Sequence, residues 1–257
     1  MNLALDIATT NVKNGEIAIF WLGQAGFLLK DSNDTTVVID PYLSDCGERM
    51  KGFKCLSPKL ITPSELKPDI YITTHNHFDH FDYDTIPIVS SNHQTRFMGP
   101  KTCVDLFLEM GIKKEKVVLL EKRNPITYKN ITIQAVFADH GTLAPDTIGV
   151  LLTVNGVKIY IAGDTAYRPD KIQDAIDFKP DIVILSINGK FGNLNCEEGA
   201  KYAKLTGAKL AIPCHFWTFK EHGGDVLSFT AEMEKHAPDC KENFMYQGEK
   251  LIYSNVK

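Results

Sequence analysis

The chain has no C-x-x-C pair, no basic run, no long apolar stretch and only two Trp. Each absence removes a class of function. Its six Cys stand alone at 46, 55, 103, 196, 214 and 240. In a short secreted chain an even count would suggest a disulfide framework, but this chain is long. Its start, Met1-Asn2-Leu3-Ala4-Leu5-Asp6, lacks the basic and then apolar pattern of a signal peptide. Free thiols and a cytoplasmic location are therefore expected. With a net charge of −4 and no Lys/Arg stripe, neither nucleic acid nor an anionic membrane is a default partner. No window approaches the roughly 18 apolar residues of a membrane span. The expected partner is a small molecule, with self-association into a homo-oligomer left open.

Within 257 residues, 44% hydrophobic and 23% charged, the most informative feature is His75-Asn76-His77-Phe78-Asp79-His80. It follows an apolar run, Asp69–Thr74, that reads as a buried strand. Metal ions need lone-pair donors converging from a rigid base. In an extended segment His75 and His77 would project to one side, and a turn would bring Asp79 and His80 to a neighbouring position. Such a cluster can feed two adjacent ions. A His-rich surface loop is the plain alternative.

Strands are expected at Glu16–Leu22, Phe27–Lys30, Thr35–Asp40 and Asp69–Thr74, then at Val117–Leu120, Ile131–Phe137, Gly149–Val154, Val157–Ile161, Asp181–Ile187 and Lys209–Pro213. Asn155-Gly156 marks a hairpin. Helices are expected from about Tyr83, and over Lys101–Met110, Lys171–Phe178, Glu197–Thr206 and Val226–His236. Residues 42–66, with Gly47, Gly52, Pro58 and Pro63, show little periodicity and read as a lid or loop insertion. No Pro/Gly/Ser-rich linker divides the chain, so residues 1–257 read as one domain with two sheets and outer helices.

Four motif residues cannot complete two metal sites. His140, Asp164 and His215 each lie just beyond an apolar strand, where open α/β sheets deliver functional groups. The resulting assignment gives His75, His77 and His140 to one ion and Asp79, His80 and His215 to the other, with Asp164 bridging. Two divalent ions about 3.5–4 Å apart can hold a water between them and lower its pKa to about 7. Asp79 would orient that water and accept a proton. The donors are all N or O, which suits two divalent ions such as Zn, Mn or Fe. Cys214, beside His215, points away from it if the segment is extended.

H-x-H-x-D-H followed by separate His, Asp and His at strand ends resembles the metallo-β-lactamase superfamily. Trp21–Phe27, Asp40-Pro41, Gly163-Asp164 and Ile212–His215 match its pattern. The resemblance implies an α/β fold, a four-layer αββα sandwich of two mixed β-sheets flanked by helices, with metals at one sheet edge. Within it, Met98–Leu106 is similar to the L-ascorbate-6-phosphate lactonase branch, which opens a lactone by metal-hydroxide attack. Asn76 in the motif also resembles phosphodiesterases that cleave N-acyl phosphatidylethanolamines.

Arg49, Lys51, Lys54 and Lys59 lie in the loop Cys46–Pro63. They either meet an anionic substrate, Arg49 and Lys54 first, or form a solvated surface. His222, in a Gly-containing loop beyond His215, is a candidate for substrate contact or proton transfer. Trp21 either packs in the core or brings its indole near the pocket. His93 and His236 read as structural. A metal-binding scaffold or sensor and a redox di-iron site are the competing classes. Retention of Asp79 argues against the first, and His77, where the di-iron branch has Glu, against the second.

Overall fold

A computed structural model describes residues 2–92 and 94–255. His93 lies outside the described residues. The chain forms two compact units, Met1–Leu120 with Tyr246–Lys257, and Glu121–Met245.

The first unit contains α1 (Leu3–Thr9), β1 (Glu16–Gly23), β2 (Gly26–Lys30), β3 (Thr36–Ile39), α2 (Cys46–Lys51), β4 (Ile70–Ile72), α3 (Thr85–Ser90), β5 (Arg96–Gly99), α4 (Lys101–Glu109) and β6 (Val117–Leu119), and regains β14 (Lys250–Ser254) from the chain's end. Its sheet runs β14-β1-β2-β3-β4-β5-β6. The first three pairings are antiparallel and the last three parallel. β2 is buried along its whole length and β1 and β3 nearly so, which explains their continuous apolar runs. On α4, Cys103 and Phe107 are buried at i and i+4. Phe107 packs against Phe81 and Phe97 in tilted pairs at centroid distances of 5.0 and 5.3 Å. α1 is capped by Asn2, and the buried Lys30 ammonium donates to the carbonyls of Ile7 and Ala8 at its far end.

The second unit contains β7 (Ile126–Tyr128), β8 (Ile131–Phe137), β9 (Ile148–Val154), β10 (Val157–Ile161), α5 (Gln173–Phe178), β11 (Ile182–Ser186), α6 (Cys196–Thr206), β12 (Leu210–Cys214), α7 (Val226–His236) and β13 (Lys241–Glu242). Its sheet runs β7-β8-β9-β10-β11-β12-β13, again three antiparallel pairings and then three parallel. The β9–β10 turn places Asn155 and Gly156 at φ 52° and 83°, the left-handed pair that a tight hairpin needs. α6 packs on α7 and on β11. His236, at the end of α7, lies 3.2 Å from Glu232 and 3.7 Å from Glu197.

One expectation is corrected. The strand before the metal motif stops at Ile72, so His75 and His77 are not on an extended segment; residues 75–80 form bends and a turn. The segment 42–66 holds a helical turn, α2, closed by left-handed Gly52. It was unreadable because six residues are too short to show periodicity.

Candidate metal centre

In the first unit, β3 and β4 run parallel and their ends carry the site. Asp40 follows β3 at φ 46°, an uncommon conformation for a residue with a side chain. Its backbone N–H donates to the Ile72 carbonyl at 3.0 Å. Its carboxylate accepts from the Thr74 N–H at 2.7 Å and the Thr74 hydroxyl at 2.6 Å, and lies 2.8 Å from His80 Nδ1. The joint between strand and motif is thus pinned by one buried carboxylate. Beyond it the His77 carbonyl accepts from the N–H groups of His80 and Phe81, which closes the turn. His75 Nε2 comes within 2.9 Å of His77 Nδ1, and the His75 and His80 rings are 4.1 Å apart. The convergence expected of an extended strand is achieved by the turn. Gln24 donates its side-chain N–H to Asp79 Oδ2 at 2.7 Å. His75, Asp79 and His80 are buried, and His77 is half-buried.

In the second unit, His140, Asp164 and His215 follow β8, β10 and β12 and are all buried. Asp164 is their hub. Its Oδ1 lies 3.3 Å from His215 Nε2, and its Oδ2 lies 3.8 Å from His140 Nε2. Ser186 and Asn193 donate to the same two oxygens at 3.2 and 2.6 Å. The Asn188 amide nitrogen sits 2.9 Å from His215 Nδ1. The His222 ring stacks on His215 at 4.6 Å and 26°. His215 itself is in the left-handed conformation, φ 64°, which turns it out of the β12 alternation.

These donors fit divalent cations. They are imidazoles and carboxylates in buried positions. Asp40 can only accept from His80 Nδ1, which leaves that ring's Nε2 as a lone-pair donor.

The profile of the β-lactamase superfamily domain matches residues 18–215, a span that includes every one of these His and Asp candidates except His222. The chain belongs to the metallo-β-lactamase superfamily. The probable L-ascorbate-6-phosphate lactonase UlaG of Shigella boydii serotype 18 is 26% identical, over 90% of this chain and 78% of its own length. Its counterpart from Escherichia coli O139:H28 is 27% identical over the same shares. The isothiocyanate hydrolase from Delia radicum gut bacteria has a TM-score of 0.74 at 20% identity, covering 93% of this chain and 100% of that one. Igni18, a metallo hydrolase from Ignicoccus hospitalis, has a TM-score of 0.73 at 20% identity, with 94% and 100% covered. Those two structures speak to the fold alone. Two mixed seven-stranded sheets with flanking helices are the architecture expected of the superfamily.

The remaining candidates fall in varied settings. Arg49 lies on α2 and pairs with Asp84 at 2.6 Å. Lys54 is exposed in the coil after α2. Trp21 is buried, stacks on Phe27 and donates its indole N–H to the Gln24 carbonyl at 3.0 Å. The start of the 42–66 segment packs on the motif itself. Asp82 accepts from the N–H groups of Leu43 and Ser44, and the Phe53 and Phe78 rings are 5.4 Å apart. Among the described residues no helix is long and apolar enough to cross a membrane. Sequence reasoning assigned no role to Asp40, Gln24, Ser186, Asn188 or Asn193. Asp40-Pro41 had stood out only as a pattern.

Proposed function

We propose that this chain is a metal-dependent hydrolase of ester-type bonds, with one centre drawn from both ligand clusters. His75, His77 and His140 hold one divalent ion, Asp79, His80 and His215 the other, and Asp164 is shared. Zinc is the first choice, with manganese or iron compatible with the same donors. On this reading residues 1–257 work as one domain and residues 42–66 as a lid.

Asp164 carries the proposal. A buried carboxylate that turns each oxygen to a different imidazole would be able to serve two cations at once. Two divalent ions supply Lewis acidity and lower the pKa of water to about 7. The chain's own residues do the rest. Gln24 ties down Asp79 Oδ2, so the carboxylate keeps one orientation in which to align solvent and take its proton. His222, half-buried against His215, passes that proton outward. The lactonase relatives favour a lactone, such as that of a phosphorylated sugar acid, as substrate. Lys51 and Lys54, both exposed, together with Arg49, offer charge to an anionic substituent, whereas Lys59 lies over the Tyr42 ring at 4.1 Å.

The test is turnover of a panel of lactones, esters, thioesters and phosphodiesters by the zinc- and manganese-loaded protein, beside Asp79→Asn. Lactone or ester hydrolysis that falls about 10²–10⁴-fold in the variant is expected. Turnover confined to phosphodiesters would make it a phosphodiesterase, and bound metal without any turnover would make it a scaffold.

A further inference from the structure

Phe191 and Trp217 are unfavourable in two ways at once. Both are large apolar side chains left in solvent, 48% and 57% exposed. Both also hold the left-handed backbone, at φ 56° and 59°. That conformation is disfavoured for a bulky residue and suits Gly or Asn. Among the described residues no other Phe, Tyr, Trp, Leu, Ile, Val or Met adopts it. Loops shaped by stability alone would carry Gly or Asn at these positions. Backbone strain of this kind gathers at functional sites.

The two rings stand in the loops that serve the candidate centre. Phe191 follows β11 and lies two residues before Asn193, whose side chain hydrogen-bonds Asp164 at 2.6 Å. Trp217 follows β12, two residues beyond His215. The Phe191 and His222 rings meet edge to face at 6.1 Å, and His222 stacks on His215 at 4.6 Å. Buried Phe219 meets His222 at 5.0 Å, and buried Phe216 meets Trp217 at 5.1 Å. This set joins buried rings beside His215 to exposed rings in the two loops. Whatever covers the exposed pair also meets those loops. A substrate must do both, whereas a second copy of the chain would close the centre.

We propose that Phe191 and Trp217 form an apolar subsite, and that the substrate carries an aryl group beside its scissile ester bond. An aryl ring packs on aromatic faces and edges and covers apolar area that otherwise meets water. The inference rests on the hydrolase reading above and narrows its substrates to aryl esters and aryl-fused lactones. Hydrolysis of such a bond adds one water and releases a carboxylate and a phenol.

Dihydrocoumarin and δ-valerolactone share one lactone ring and differ by the fused benzene. Zinc-loaded wild type, Phe191→Asn and Trp217→Asn are assayed with both. Each variant should lower the ratio of kcat/KM for dihydrocoumarin to that for δ-valerolactone by about 10-fold, chiefly through KM. Because Asn tolerates the left-handed backbone, both variants should melt at or above the wild-type temperature. An unchanged ratio in either variant, or melting below wild type, overturns the proposal. Calorimetry with the ring-opened products, melilotate and δ-hydroxyvalerate, needs no turnover. Wild type should bind melilotate about 5-fold more tightly, and equal binding overturns the subsite. Preferred melilotate binding without turnover of either lactone or any other ester overturns the hydrolase reading and upholds the aryl-binding site. A wild type that is dimeric in ultracentrifugation, with either variant monomeric, gives the rings to a second copy and overturns the subsite.

Discussion

Asp40 shows how much one carboxylate can hold. It is buried, accepts two hydrogen bonds from Thr74, faces His80, and keeps its own backbone in the left-handed region. Asp40→Ala should therefore destabilise the fold by about 2–4 kcal/mol in urea denaturation, since it strands the Thr74 donors in the interior. Asp40→Asn, which keeps an acceptor, should lose less. Burial, with the Asp82 carboxylate adding to it, pushes the Cys46 thiol from 9.0 up to about 12, and burial pushes the Tyr202 hydroxyl from 10.0 to about 12. Cys46 should resist iodoacetamide at pH 7.5 in the native protein and react once it is unfolded, as read by mass spectrometry. A folded pKa above the unfolded one means stability is intact below about pH 9 and is lost as pH rises toward 12. Melting temperatures measured between pH 8 and 11 should fall accordingly. The proposed ligands stand out in sequence because four of them are compressed into six residues and the rest end apolar runs. Their supports do not. Asp40, Asn188 and Gln24 meet their partners across 40, 27 and 55 residues, and nothing local in an Asp or Asn announces such a contact.

Elements with strong local signals were equally legible. β8, β10 and α7 have the bounds their patterns gave, and α6 starts at a capping box of Asn195 and Glu198. Asn195→Ala should cost about 0.5–2 kcal/mol, visible as a lower denaturation midpoint. The unread elements are short or depend on distant pairing. β5, Arg96–Gly99, has four residues and mixed polarity. β14 exists as a strand through its pairing with β1, Glu16 opposite Ser254. α2 is fixed from outside: a Cβ on Gly47 would lie 2.5 Å from a Phe78 ring carbon. Gly47→Ala should push α2 off the metal motif and destabilise the protein by about 1–3 kcal/mol. Gly224→Ala meets a harder obstacle, because its Cβ would lie 2.3 Å from the Ile187 carbonyl oxygen at φ 80°. Neither constraint can be seen in the sequence, since both come from a neighbour far along the chain.

At the scale of the whole molecule, the two units repeat one pairing scheme, three antiparallel contacts followed by three parallel ones. The return of β14 to the first sheet, beside β1, hides this match in the sequence. Each unit carries part of the donor set at the ends of its strands, so neither alone supplies the seven ligands proposed. A ligand that binds only the folded chain adds stability, about 2.7 kcal/mol at a hundredfold excess over its dissociation constant. Stripping metal with a chelator should then lower the melting temperature, and adding zinc should restore it. The most direct test of the centre is the metal content of the purified protein, measured by mass spectrometry for wild type, His75→Ala and Asp164→Ala. The account predicts about two divalent ions per wild-type chain and fewer in both variants, one substituted in each unit. A wild type without metal, or a metal content that ignores the Asp164 substitution, would contradict it.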